Sequence, residues 1–257
     1  MILLYTYTAE YIFCPGNGCP FPTIIMLASV FFAGGNPFFA GLFVIAVLIL
    51  SVMITLAVSR MLGATVLKGI PSSFTLELPP YRRPQIIKVV IRSVLDRTIF
   101  VLGRAICVSV PAGALIWLLQ NVTIADITLL EGLSQILSPL GGAMGLSGVI
   151  LAAFILGIPA NEIVIPIILM CYCQSGMLTE ASGLAEMGEL LKENGWTALT
   201  ALSAVLFSLN HFPCATTLWT IAKETKSAKW TAVAFLLPTM IGILICTTVN
   251  TVGNLFF

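Results

Sequence analysis

The chain has 257 residues, 58% hydrophobic and only 9% charged, whereas an ordinary soluble domain carries roughly 25% charged residues. That composition excludes a soluble globular domain and indicates an integral membrane protein. The formal net charge of +1 leaves no basic or acidic excess, which excludes a nucleic-acid partner on charge grounds.

The N-terminus, MILLYTYTAEYIF, has no basic n-region and carries Glu10, so it reads as structure rather than as a signal peptide. The cluster CPGNGCPFPT, Cys14 to Thr23, follows as a break, and after it comes the half-length apolar run Ile24 to Ala33. A helix needs roughly 20 residues to cross the hydrocarbon core. Phe38 to Val58 meets that length without interruption. From Arg60 to Arg104 the chain then places eight of its twelve basic residues against two acids, Glu77 and Asp96. The positive-inside rule makes this segment cytoplasmic. Its first part, KGIPSSFTLELPPYRRP, holds four prolines and cannot be one helix. After Pro84 the four-residue recurrence of Lys88, Arg92 and Asp96 predicts an interfacial helix leading into the next span, Thr98 to Leu119.

Gln120 to Ala143 contains Asp126 and Glu131 and no Lys or Arg, so it reads as an external loop. Two long apolar segments follow, each broken near its middle: Leu146 to Tyr172 at GIPANEIVIP, and Trp196 to Ile221 at NHFPCATT. Lys223, Lys226 and Lys229 place the next turn inside, so an odd number of crossings separates it from the external loop. The expectation is a re-entrant hairpin over Leu146 to Tyr172 with GIPAN at its tip, and a broken span over Trp196 to Ile221. Trp230 to Val252 is the last uninterrupted span. An internal repeat links the two ends. Pro22 and Pro213 are each followed by a short apolar run and then by a full span sixteen residues on. With the basic segment inside, the two units are inverted, as in many secondary transporters.

Irregular backbone in hydrocarbon leaves polar groups unpaired at several kcal/mol each, so it persists only when buried in protein or lining a wet cavity. The breaks therefore attract attention, although each one read alone is equally a packing kink. Glu162 is the only acid inside an apolar run and stands beside Asn161. An intramembrane carboxylate points to function, or to a group neutralised by protonation or by freed backbone amides. The only histidine, His211, lies three residues before Cys214, with Thr216 and Thr217 following. Imidazole and thiolate suit borderline and soft metals, and carboxylate or amide oxygen suits harder ones. The alternatives stay open here: an interhelical hydrogen bond for the histidine, packing for the cysteine. Seven cysteines, an odd and irregular set that includes the CYC of Cys171 to Cys173, argue for free thiols over a disulfide framework.

The runs KGIPSSFTLELPPYRRPQ, GIPANEIVIP, and HFPCATTLWTIAKET followed by KWTAVAFLLP resemble the C-terminal half of the ferrous iron transport protein B family, bacterial inner-membrane Fe(II) importers. The resemblance extends from about Cys14 onward. It implies Fe(II) as the transported ion with no permanently bound cofactor, and Cys214 as the cysteine of a second gate. Asn161 and Glu162 fall where the family has a polar pair ending in Glu. Cys14 and Cys19 fall at the first gate, where related sequences read like PCNGRFPT and this chain reads CPGNGCPFPT. No G-x-x-x-x-G-K-[ST] phosphate loop is present, so the family's GTPase domain is expected to be absent and the chain is expected not to be an enzyme.

The resulting expectation is an all-α polytopic membrane protein of inverted gate-type repeat units with broken and re-entrant helices. Residues 1–37 would be a first-gate remnant and 38–59 a span. Residues 60–97 would be the cytoplasmic Pro-rich segment and interfacial helix, and 98–257 the second gate unit with the C-terminal spans. The metal path would use Cys214, Glu162, Asn161 and His211, with Cys14 or Cys19 from the other unit. The expected location is the bacterial inner membrane, multi-pass. Partners would be lipid, a G-domain-bearing half or neighbouring transporter subunit, and no nucleic acid, with homo-oligomers left open. The alternatives are a split or truncated chain without autonomous transport, or a thiol redox sensor.

Overall fold

A computed structural model describes residues 21–33, 36–65, 86–93, 95, 99–124, 127–173 and 183–256. The described residues form an all-α fold whose only strands are a two-residue antiparallel ladder. Helix α1 (Phe21–Leu27) continues as a π-helical turn over Ala28–Phe32 and is followed by the long α2 (Pro37–Thr65). The short α3 (Ile86–Ser93) bears out the helix expected after Pro84. Helix α4 (Phe100–Asn121) comes next, then the ladder Thr123–Ile124 with Ile127–Thr128. After it come α5 (Leu129–Met144), α6 (Gly148–Leu156), a 3-10 turn at Asn161–Ile163, and α7 (Val164–Tyr172). The chain closes with α8 (Leu184–Glu193), α9 (Ala198–Asn210), α10 (Ala215–Thr225) and α11 (Ala228–Phe256).

The expected external loop over Gln120 to Ala143 is mostly helix, which corrects that reading. Its glycines and Pro139 disguise the periodicity, but Thr128 caps it by accepting from the Glu131 amide at 3.1 Å. Helix α5 ends at Gly145, whose φ of 72° is a left-handed C-cap suited to glycine. The chain then bends by 108° into α6. The last helix holds this elbow, because the Asn250 carboxamide donates to the carbonyls of Gly142 and Ala143, both at 3.1 Å.

The segment expected as a hairpin, Leu146 to Tyr172, forms two short helices, α6 and α7, that pack against each other on either side of GIPAN. Ala198–Lys223 passes as one span of 26 residues across its break. Among the described residues three helical segments are long and apolar enough to cross a bilayer, Pro37–Val58, Ala198–Lys223 and Ala228–Leu255, or four if the bent pair α5 and α6 makes one span. Helix α4 follows the expected span Thr98 to Leu119 closely, running 22 residues from Phe100 to Asn121. The repeat also has a structural counterpart: a short helix followed within a few residues by a 29-residue helix occurs at 21–65 and again at 215–256.

Burial separates the two kinds of helix. The unbroken spans are 22% and 17% buried within the protein, against 61% for the broken one. Fully buried side chains on the interrupted elements α6, α7 and α9 include Ile150, Ile167, Ile168, Ser203 and Val205, joined in the core by Ile24 and Leu27 of α1, Met144 of α5 and Cys246 of α11. Continuous helices satisfy their own backbone and can face lipid, whereas interrupted ones need protein around the interruption. The outer faces of α2 and α11, with Ile45, Ile49, Met53, Leu244 and Val252 exposed, are those a bilayer would cover.

Candidate functional site

The two breaks meet. The Ala215 amide, the first of α10, donates to the Ile158 carbonyl in the GIPAN turn at 2.8 Å. Both groups belong to interrupted backbone, and each satisfies the other without water. Around this bond the remaining groups find local partners. The Gly157 amide donates to Ala153, and the Ile163 amide donates to Ala160. Across the other break the amides of Thr217 and Leu218 both donate to the Cys214 carbonyl. Pro213 brings no amide that would need a partner.

His211 completes the end of α9. Its Nδ1 lies 2.8 Å from the Ser208 carbonyl and 3.1 Å from that of Phe207. Two carbonyl partners assign the proton to Nδ1, so Nε2 retains its lone pair. That Nε2 is buried and has no partner among the described residues. The imidazole is ringed by Phe154, Phe207 and Phe212 with centroids 5.2, 5.7 and 5.0 Å away. Phe154 belongs to the hairpin and Phe207 to the broken span, and they pack edge to face at 4.9 Å. The Asn161 Oδ1 in the hairpin turn is likewise buried without a partner. An uncompensated buried acceptor costs about 1–3 kcal/mol, so each orphan calls for an explanation.

Cys214 is the N-cap residue of α10, with its Sγ 3.1 Å from Thr216 Oγ1 and 3.2 Å from Thr217 Oγ1. The expected second-gate residues thus fall on one junction: Asn161 in the hairpin turn, His211 and Cys214 in the facing break. Glu162 lies on the same 3-10 turn, and its side chain is outside the described set. Cys14 and Cys19 also lie outside the described residues. Among the described residues no three His, Cys, Asp or Glu side chains converge as a metal-holding group.

Two features of this site were not readable from sequence. The pairing of Ile158 with Ala215 joins backbone atoms far apart in the chain, and side-chain chemistry carries no trace of it. The Phe154, Phe207 and Phe212 ring had a weak signal, since Phe154 and Phe207 each stand three residues before a break and Phe212 lies within the second one. The cysteine pair resolves as expected for two residues apart: Cys171 is half-buried and Cys173 exposed, both as free thiols.

Paired helix breaks buried at the centre of a bundle of apolar spans define a gate-type membrane protein. The family profile described as "Gate: Nucleoside recognition" matches residues 102–228, and that described as "Ferrous iron transport protein B C terminus" matches residues 44–97. The chain belongs to the ferrous iron transport protein B family and corresponds to its C-terminal membrane half. Among its relatives is the Fe(2+) transporter FeoB of Staphylococcus aureus (strain MSSA476), 28% identical over 245 residues, covering 91% of this chain and 34% of the relative. The Fe(2+) transporter FeoB of Methanocaldococcus jannaschii is 23% identical over 233 residues, 85% of this chain and 33% of the relative. A Porphyromonas gingivalis protein named as a fusion of Fe(2+) transport protein A with Fe(2+) transporter FeoB is 22% identical, covering 92% of this chain and 33% of its own length. The chain thus spans about a third of the length of the curated relatives it matches. No solved structure matches it.

Proposed function

We propose that the chain is the permease part of a ferrous iron transporter, multi-pass in the bacterial inner membrane, and that Fe(II) passes through the junction of the two breaks. The observation that carries this reading is the Ala215 to Ile158 hydrogen bond, which fixes two interrupted helices against each other around orphaned donors. The family and the names of its relatives supply the ion; the donor chemistry alone specifies a soft or borderline cation.

A transported ion must exchange its water for protein ligands and still leave, so a few weakly held donors serve better than a closed four-ligand site. In this reading Cys214 is the soft ligand, Asn161 Oδ1 and the Glu162 carboxylate are the hard ones, and the His211 Nε2 lone pair is a fourth donor. Cys14 or Cys19 contributes from the first unit. Fe(II) is cargo, and the site needs no resident cofactor. A second element of the reading is that transport uses a G-domain-bearing half or a neighbouring transport subunit, in keeping with a relative named as a fusion of two Fe(2+) transport proteins.

Reconstitution into liposomes with an internal Fe(II) indicator tests both elements. Flux is expected when the G-domain-bearing partner is present and not from the purified chain alone. Cys214→Ser should lower that flux severalfold more than Cys246→Ser. Cys246 is fully buried and donates to the Ser203 carbonyl at 3.4 Å, so it serves as the packing control. Equal effects of the two substitutions would refute the ligand role of Cys214, and no flux under any combination would refute transport.

A further inference from the structure

About two helical turns from the junction lies a second polar feature. A cavity of about 620 Å³ opens between the end of α4, the face of α5 and the ends of α6 and α7. Its lining includes Gln120, Glu131, Ser134 and Gln135, with Cys171 on the hairpin side. Glu131 and Gln135 are four residues apart on α5 and so share one face of that helix. No Lys, Arg or His lines the cavity among the described residues.

We infer that this cavity is a collecting vestibule that binds a hydrated divalent transition-metal ion, with Glu131 supplying the charge, Gln120 and Gln135 the oxygen donors, and Cys171 an inner soft ligand. The inference deepens the transport reading and rests on it. Size permits it: six waters at about 2.1 Å from an ion make a body of roughly 180 Å³, well inside the cavity. Charge permits it as well, because a single carboxylate with no competing cation attracts a divalent ion without trapping it. Position gives the vestibule its use. Cys171 lies seven residues along α7 from Val164 at the break, about 10 Å at the helical rise, so the vestibule and the junction stand at the two ends of one short helix. The cavity is bordered by the segment between Gln120 and Ala143, which has no Lys or Arg and is external by the charge rule.

The test is alkylation of the purified full chain in nanodiscs, resolved by peptide mass spectrometry, with Co(II) as an air-stable probe neighbouring iron in the affinity order. Cys173, exposed and two residues away, reports indiscriminate thiol binding within the same peptide. An ion at ten times its Kd should slow Cys171 alkylation about tenfold and leave Cys173 unaffected. Glu131→Gln should abolish most of that protection. Gln serves the N3 position of a capped helix as well as Glu does, so this variant keeps α5 folded. Absence of protection in the wild-type chain, equal protection of Cys173, or full protection in Glu131→Gln would each overturn the vestibule. Iron flux without protection at Cys171 would sink the vestibule alone, whereas protection without flux in the complete transporter would sink the transport reading and leave the ion site standing.

Discussion

Gly242, midway along α11, is the point where the last helix touches the break. A Cβ built there would lie 2.8 Å from the Asn210 carbonyl oxygen, and 3.2 Å from the Asn210 carbonyl carbon and from Phe207 Cδ2. Non-bonded carbons rest at about 3.5–4.0 Å, so Gly242→Ala forces the helices apart by roughly half an ångström. The obstacle is backbone, held in turn by Pro213 and by the bond from Ala215 to Ile158, and it has little freedom to give way. Overpacking costs about 1–3 kcal/mol, and alanine recovers about 1 kcal/mol of helix propensity over glycine. The expected net loss is up to about 2 kcal/mol, or a fall in Tm of up to about 8 °C for a chain of this size, whereas the unobstructed control gains. Survival of the monodisperse peak after graded heating in detergent measures it. Gly41→Ala is the control, because nothing lies within 4 Å of the Cβ it would add, and it should leave Tm unchanged or raise it. A Gly242→Ala protein as heat-resistant as the Gly41→Ala control would refute the claim that α11 is pressed against the break.

Two further substitutions probe the backbone accounting. Asn250→Ala removes both donors to the α5 elbow, and at about 1 kcal/mol for each lost bond it should lower stability by about 2 kcal/mol in the same heating assay; no change would mean the elbow does not depend on α11. His211→Phe keeps the aromatic packing but leaves the Phe207 and Ser208 carbonyls without the Nδ1 proton, with an expected loss of about 1–3 kcal/mol. If added Co(II) stabilises the wild-type chain more than His211→Phe, the Nε2 lone pair is a metal donor; if both respond equally, the histidine is structural only.

Sequence and structure agree where one physical constraint dominates. Continuous apolar length marks α2 and α11, because in hydrocarbon a helix is the only open-ended way to pair a backbone with itself. Pro, Gly and polar residues inside the apolar runs mark the two breaks and place Asn161, His211 and Cys214 at them. Helix α5 escaped notice because Gly132, Pro139, Gly141 and Gly142 mimic loop chemistry, and its stability comes from the Thr128 cap and from packing against α6. There Gly148 would, with a Cβ, run into the Ser134 carbonyl. The vestibule was hidden for the same reason: Glu131 and Gln135 share a face only once their segment is known to be helical. The tautomer of His211 and the bond joining the breaks depend on tertiary geometry, and no spacing of residue types encodes either.

The elbow between α5 and α6 bears on the order in which the chain is made. Its exposed carbonyls at Gly142 and Ala143 receive their donors from Asn250, 108 residues after Gly142 and 107 after Ala143. During synthesis the hairpin and the broken span leave the ribosome before the group that fastens the bend beneath them. Until α11 enters the bilayer, the junction can assemble only loosely, and a helix that follows both breaks in the chain acts as their latch. Termination between the broken span and Asn250 would therefore yield a chain that still inserts its earlier spans yet lacks a fixed elbow, a substrate for membrane quality control.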